Sequence, residues 1–120
     1  MLNPLIDIIS SGPATKTDPN RAEKLAAFDR LLTIMDQLRE NCPWDMKQTL
    51  ESLRHLTIEE TYELSDAIMA NDLLEIKKEL GDILLHLAFY ARIGEEQNAF
   101  NMADVLNLSL IHISEPTRPY

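Results

Sequence analysis

"EETYELSDAI", residues 59–68, and "KKELGDILLHLAFY", residues 77–90, decide how this chain is read. The first stretch sets Glu59, Glu60, Glu63 and Asp66 close together, and the second threads Glu79 and Asp82 into an otherwise apolar run. At about 100° per residue the acids of the first stretch share one side of a helix, with Ile58, Tyr62, Ile68 and Met69 on the other. Taken alone, that is the pattern of a solvated face. The second stretch differs, because its stripe of Glu75, Glu79, Asp82 and His86 is walled by Ile83 and Tyr90 on one side and Leu85 and Phe89 on the other. A helix that is apolar nearly all round is buried, and an unpaired carboxylate buried with it must protonate or find a cation. Positive charge is therefore expected beside the stripe. Gly81 costs about 1 kcal/mol relative to Ala in mid-helix, which points to a close approach there by another helix or a ligand.

Working outward, the apolar residues Leu25, Phe28, Leu31, Leu32, Met35 and Leu38 recur every three or four positions and predict a first helix over 21–40. Pro43 disfavours helical geometry at Cys42 and stops it, and a loop containing a short helical turn follows to about Leu56. Thr57 stands three residues before Glu60 and predicts a capped start for a second helix that runs to about Ala70. Asp72 and Glu75 repeat that signal and open a long third helix from Leu73 to about Gln97. Asn101 begins a fourth. The absence of strand-like alternation and the short connection at 70–72 predict an all-α fold, an antiparallel helix bundle.

With 120 residues, 45% of them hydrophobic, the chain suffices for one domain with a modest core. A net charge of −9 argues against nucleic-acid or anionic-membrane partners, which need clustered Lys and Arg. Cys42 is the single cysteine, so neither an internal disulfide nor a cysteine-based zinc site can form, and a reducing cytoplasm is the expected setting. "SSGPATKTDPN", residues 10–20, has the composition of a flexible lead-in, so 1–20 is assigned as a flexible N-terminal segment and 21–107 as the helical domain. Leu108–Arg118 resembles the conceptual translation of a transposon-type sequencing adapter, and 108–120 is expected to be a non-native tail on a truncated domain.

If the second and third helices face each other, Glu60, Glu63, Glu79 and Asp82 gather in one pocket, each pair repelling by about 4 kcal/mol at 4 Å and an effective dielectric of 20. Such a cluster calls for cations. Hard oxygen ligands in a partly open site suit Mg²⁺, with Mn²⁺ as a substitute. No Gly-x-x-x-x-Gly-Lys-Ser/Thr loop is present to cradle phosphates, so metal ions would have to do that work.

Glu59-Glu60-x-x-Glu63 followed by "ELGD" at 79–82, with "CPWD" at 42–45, "QT" at 48–49 and "FYA" at 89–91, resembles the MazG-type nucleoside triphosphate pyrophosphohydrolases over about residues 25–107. The resemblance implies an all-α fold, Mg²⁺ dependence, a homodimer, and cleavage of nucleoside triphosphates to monophosphate and pyrophosphate. It makes Glu60, Glu63, Glu79 and Asp82 metal ligands, with Glu59 a further ligand or a base that orients water. Trp44 could stack on a nucleobase or cap the core, and Lys47 and Gln48 could touch phosphate or base. Arg39 and Arg92 have only their charge to recommend them as phosphate contacts. Two other readings compete. A di-iron carboxylate bundle needs Glu-x-x-His pairs, which the bundle region lacks. A non-catalytic helical interaction module would leave Glu79 and Asp82 exposed and apart from Glu60 and Glu63.

Overall fold

The computed structural model describes residues 17–113; most of the lead-in, and the tail beyond 113, lie outside the described residues. Five helices follow one another, and no strand occurs among the described residues: α1 (Arg21–Asn41), α2 (Pro43–Met46), α3 (Leu50–Met69), α4 (Leu73–Glu96) and α5 (Met102–Ile113). The fold is the expected all-α bundle, and its boundaries have local causes. Pro43 holds Cys42 in an extended conformation (φ −89°, ψ 117°), which ends α1, and itself takes the first position of α2, where its missing N–H costs nothing.

The start of α3 corrects the sequence reading. Thr49, not Thr57, is the cap: its hydroxyl accepts from the Ser52 N–H at 3.0 Å, while the Ser52 hydroxyl accepts from the Thr49 N–H at 2.8 Å. Ser in place of Glu or Gln at the third helical position disguises this reciprocal box. Thr57 consequently lies inside the helix.

Two residues then turn the chain back. Asn71 takes a left-handed conformation (φ 55°), which Asn tolerates better than most residues. Its N–H donates to Ile68 O, and the Asp72 N–H donates to Ala67 O, both at 3.0 Å, which is the hydrogen-bond pattern of a Schellman stop. Asp72 also caps α4, accepting from the Glu75 N–H at 3.1 Å as its spacing predicts. Contacts of Thr57 with His86 and of Glu60 and Glu63 with Glu79 show that α3 and α4 run antiparallel.

Asn98 (φ 56°) repeats the stop at the end of α4, and Phe100 folds back so tightly that a Cβ at Gly94 would collide with its ring. Gly94 is therefore the closely approached glycine. At Gly81 the approach of another helix is not seen, since nothing among the described residues lies within 4 Å of the position its Cβ would take. Asn101 and Asp104 cap α5 reciprocally at 2.9 and 3.0 Å, and α5 continues without a break across residue 108.

The core joins Met35 of α1, Leu53 of α3, and Ala88, Phe89 and Ile93 of α4, flanked by Leu31, Leu56, Tyr90 and Met102. A second correction concerns α3. Ile58, Tyr62, Ile68 and Met69, read as its apolar side, are exposed, and the inward face carries Leu53, Leu56, Thr57, Glu60, Leu64 and Ala67. The acid is on the inside.

Leu53 is 1% exposed, so Leu53→Ala is expected to lower unfolding free energy by about 2–5 kcal/mol, and Thr49→Ala by about 1 kcal/mol, in urea titrations followed by circular dichroism. A Thr49→Ala variant as stable as the parent chain would count against Thr49 as the cap.

Candidate metal centre

Glu60 enters the site because it occupies the inward stripe of α3, and Glu79 and Asp82 meet it from the facing stripe of α4. One carboxylate oxygen from each of Glu60, Glu79 and Asp82 lies within 4.8 Å of the others. Glu79 is 1% exposed, Glu60 and Asp82 are half-buried, and Glu63 sits at the exposed rim in hydrogen-bonding contact with Glu79. Glu59 is exposed beside them, and Asp66 is exposed as well. Convergence is thus present for Glu60, Glu79 and Asp82, with Glu63 outside that group at the exposed rim. The exposed, separated acids required of a mere interaction module are not.

Burial and mutual repulsion shape the protonation of the cluster. A hydrogen bond with Glu79, followed by desolvation and the charges of Glu63, Asp82 and Glu79, pushes Glu60 up to about 7. Its partner moves the other way: the hydrogen bond from Glu60, helped by Lys78, Glu75 and Glu63, draws Glu79 down to about 2. Contact with Glu79 raises Glu63 too. The physical picture is one proton held on Glu60 and offered to the Glu79 carboxylate.

One ammonium group assists. Lys78 Nζ lies 3.2 Å from Glu79 Oε1 and 3.7 Å from both Glu75 and Asp82. The motif reading passed over it, although its three- and four-residue offsets from Glu75 and Asp82 are the ordinary helix pairing distances. Lys78 is 62% exposed and serves three carboxylates, so it cannot satisfy the cluster. Glu60 Oε2 and Glu79 Oε2 remain buried with no donor among the described residues. Such oxygens can be relieved by a shared proton or by a cation, and an all-carboxylate donor set open at the rim suits a hard divalent ion. The residues present therefore fit a metal.

One turn inward, the Thr57 hydroxyl meets His86 Nδ1 at 3.2 Å and forms a short contact with the Tyr90 hydroxyl. This polar group seals the cradle from the core. His86 belongs to that packing.

The segment expected to meet substrate is separate. Trp44, on α2, is 56% exposed, and Lys47 follows at the end of that helix, also exposed. Gln48 is engaged at both ends of its amide: Nε2 donates to Trp44 O at 2.9 Å, and Oε1 accepts from the Ser52 hydroxyl at 2.7 Å. Thr49 and Glu60 are roughly 16 Å apart along α3 at 1.5 Å per residue, so the segment lies well along the hairpin from the acids. Arg39 and Arg92 are both committed to internal ion pairs, Arg39 with Glu96 and Arg92 with Asp36, Glu40 and Glu96.

The all-α hairpin thus gathers carboxylates from two successive helices into one cluster that fits a divalent ion. Residues 48–114 match the MazG nucleotide pyrophosphohydrolase domain, and the chain belongs to that family. It is 45% identical over 81 residues to the nucleoside triphosphate pyrophosphohydrolase of Escherichia coli (strain K12), covering 65% of this chain and 31% of that protein. Against the nucleoside triphosphate pyrophosphohydrolase/pyrophosphatase MazG of Thermotoga maritima the identity is 48% over 81 residues, covering 66% and 32%. The chain thus spans about a third of the length of these curated relatives. The fold also matches the crystal structure of a MazG-related protein from Thermotoga maritima, with a TM-score of 0.64 at 23% identity, over 77% of this chain and 86% of that one.

The pH dependence of the metal-free protein has a definite sign. Glu60 is raised, so its stabilising contribution is complete below about pH 4.5 and is lost as pH rises through about 7. Glu79 is lowered, so its contribution is present above about pH 4.5 and is lost as pH falls toward about 2. Denaturation midpoints in chelator are expected to fall between pH 4.5 and 7, and Glu60→Gln should flatten that fall. An unaltered slope in the variant would assign the proton elsewhere.

Proposed function

We propose that this chain is the active domain of a Mg²⁺-dependent nucleoside triphosphate pyrophosphohydrolase, cleaving an NTP or dNTP to the monophosphate and pyrophosphate by water attack at the α-phosphorus. The observation that carries this reading is the pair of buried, donorless oxygens, Glu60 Oε2 and Glu79 Oε2, inside a cluster completed by Asp82. Glu60, Glu63, Glu79 and Asp82 would hold Mg²⁺, or Mn²⁺ in its place, through carboxylate oxygens. Bound there, the ion supplies neutralisation of charge on the phosphate oxygens and a more acidic water. Glu59, exposed at the rim, orients the attacking water and accepts its proton, or adds a further ligand. The buried stem of Glu79 fixes the geometry, while the open side at Glu63 admits the triphosphate.

Trp44 offers an exposed ring for stacking on the base, Lys47 offers its ammonium to phosphate, and Gln48 shapes the segment that presents them. A second copy of the chain is the proposed partner. Leu80, Leu84 and Leu87 recur along α4 at 46–48% exposure, and an apolar groove of about 290 Å³ lies between Phe28, Leu84, Leu87, Phe100 and Leu106. A homodimer would cover this face and bring another chain's groups toward the site. The acidic surface disfavours nucleic acid as a partner, and no described helix is long and apolar enough to cross a membrane, in keeping with a cytoplasmic role on free nucleotides.

The test is product analysis over a panel of NTPs and dNTPs with Mg²⁺, in which pyrophosphate and monophosphate are expected as first products. Glu79→Gln should lower turnover at least about 100-fold while keeping its helical circular dichroism. Orthophosphate as the first product, or undiminished turnover in the variant, would overturn the assignment.

A further inference from the structure

The segment carrying Trp44 and Lys47 has little structure of its own. α2 is four residues long, and it closes on long backbone bonds, Lys47 N–H to Trp44 O and Gln48 N–H to Asp45 O, each at 3.3 Å. Arg39 supplies shorter ones: Nη1 donates to Asp45 O at 2.8 Å and Gln48 O at 2.8 Å, and reaches Met46 O at 3.3 Å. The other edge of the guanidinium grips Glu96 of α4 through Nε at 2.8 Å and Nη2 at 2.9 Å. Its plane lies over the Phe89 ring, 5.7 Å from the centroid, and the side chain is only 14% exposed. Glu96 is itself fixed from behind by Arg92 Nε at 3.2 Å, and Arg92 is tied back to Asp36 of α1. A continuous chain of ion pairs therefore runs from α1 through α4 to the segment.

We propose that Arg39 is a positioning residue for nucleotide recognition: by clamping the carbonyls of residues 45–48 to Glu96, it fixes the orientation in which Trp44 and Lys47 meet the substrate. The proposal rests on the pyrophosphohydrolase reading for the identity of that substrate, but the clamp is a property of the chain alone. The planar fork explains the choice of residue. Lysine could reach Glu96 or one carbonyl, yet it cannot span both with fixed geometry. The carbonyls are backbone groups, so they supply no side-chain signal in the sequence.

Trp44 is the sole tryptophan and reports directly on the segment. Arg39→Lys and Arg39→Gln are to be compared with the parent chain by acrylamide quenching and fluorescence anisotropy at a temperature where helical circular dichroism is intact. Quenching is expected to rise and anisotropy to fall in both. With nucleotide and Mg²⁺, KM should rise about 10- to 100-fold while kcat stays within about threefold, because the carboxylate cradle is untouched. Asn101→Ala serves as the control. It removes the side-chain acceptor that caps α5, which makes no hydrogen bond to residues 45–48 or to Glu96, and it should lower thermal stability without shifting KM. If Arg39→Gln fails to fold, Glu96→Gln loosens the same anchor and is expected to raise quenching and KM together. Parental quenching and KM in Arg39→Lys, or a change confined to melting temperature, would overturn the proposal. A parent chain that hydrolyses no nucleotide would instead defeat the pyrophosphohydrolase reading, while the quenching measurement would still decide the clamp.

Discussion

Carboxylates forced together on the inner face of a helical hairpin govern the rest of this molecule. Glu60 and Glu79 cannot turn outward, because Glu79 is almost completely enclosed and Glu60 shares its stripe with core residues. At separations under 5 Å, and with an effective dielectric near 20, two like charges repel by about 3–4 kcal/mol, a large fraction of the stability of a small domain. The chain keeps this arrangement by anchoring it from below: Leu53, Phe89 and Ile93 pack the next layer, with the polar contact of Thr57, His86 and Tyr90 between. Repulsion is tolerated because packing elsewhere holds the helices in register. The shared proton on Glu60 is the provisional remedy, and a cation of higher charge is the complete one.

Much of this could be read from the residues. The burial of Glu79 followed from the apolar walls around its stripe, and the return of the chain at 70–72 from Asp72 and Glu75. The errors share one cause, the weight given to a single local pattern. Thr57 and Glu60 match a capping box on paper, but Ser52 closes the working one with Thr49, and a serine at that position carries a weaker signal than a glutamate. Ile58, Tyr62, Ile68 and Met69 suggest an apolar side for α3, yet Leu53, Leu56, Leu64 and Ala67 on the opposite side are the ones buried or half-buried. Tertiary contact with α4 decided the matter in favour of the side bearing Glu60. Arg39 shows a different limit. Its partners are mainly backbone oxygens and a glutamate 57 positions away, and neither leaves a mark in local sequence.

On the proposed pyrophosphohydrolase reading, chemistry and recognition occupy different parts of the fold. The acids belong to the α3–α4 hairpin, whereas Trp44 and Lys47 belong to a segment tied to α1 and to the far end of α4. The two share α3 as a common beam, since Thr49 caps the helix that carries Glu60. A disturbance at one end therefore changes the spacing between Trp44 and the carboxylate cluster without altering the composition of either.

The joint at Asn71 and Asp72 acts as a ruler. Stop and start signals occupy adjacent residues, so no slack exists in which an added or deleted amino acid could be absorbed. A residue inserted between Asp72 and Lys78 would swing every later side chain of α4 by about 100°, carrying Glu79 and Asp82 away from α3 and bringing Lys78 and Gly81 to the places that face Glu60. Codon-sized length changes here should be far more damaging than most single replacements, which makes this corner the least elastic part of the gene.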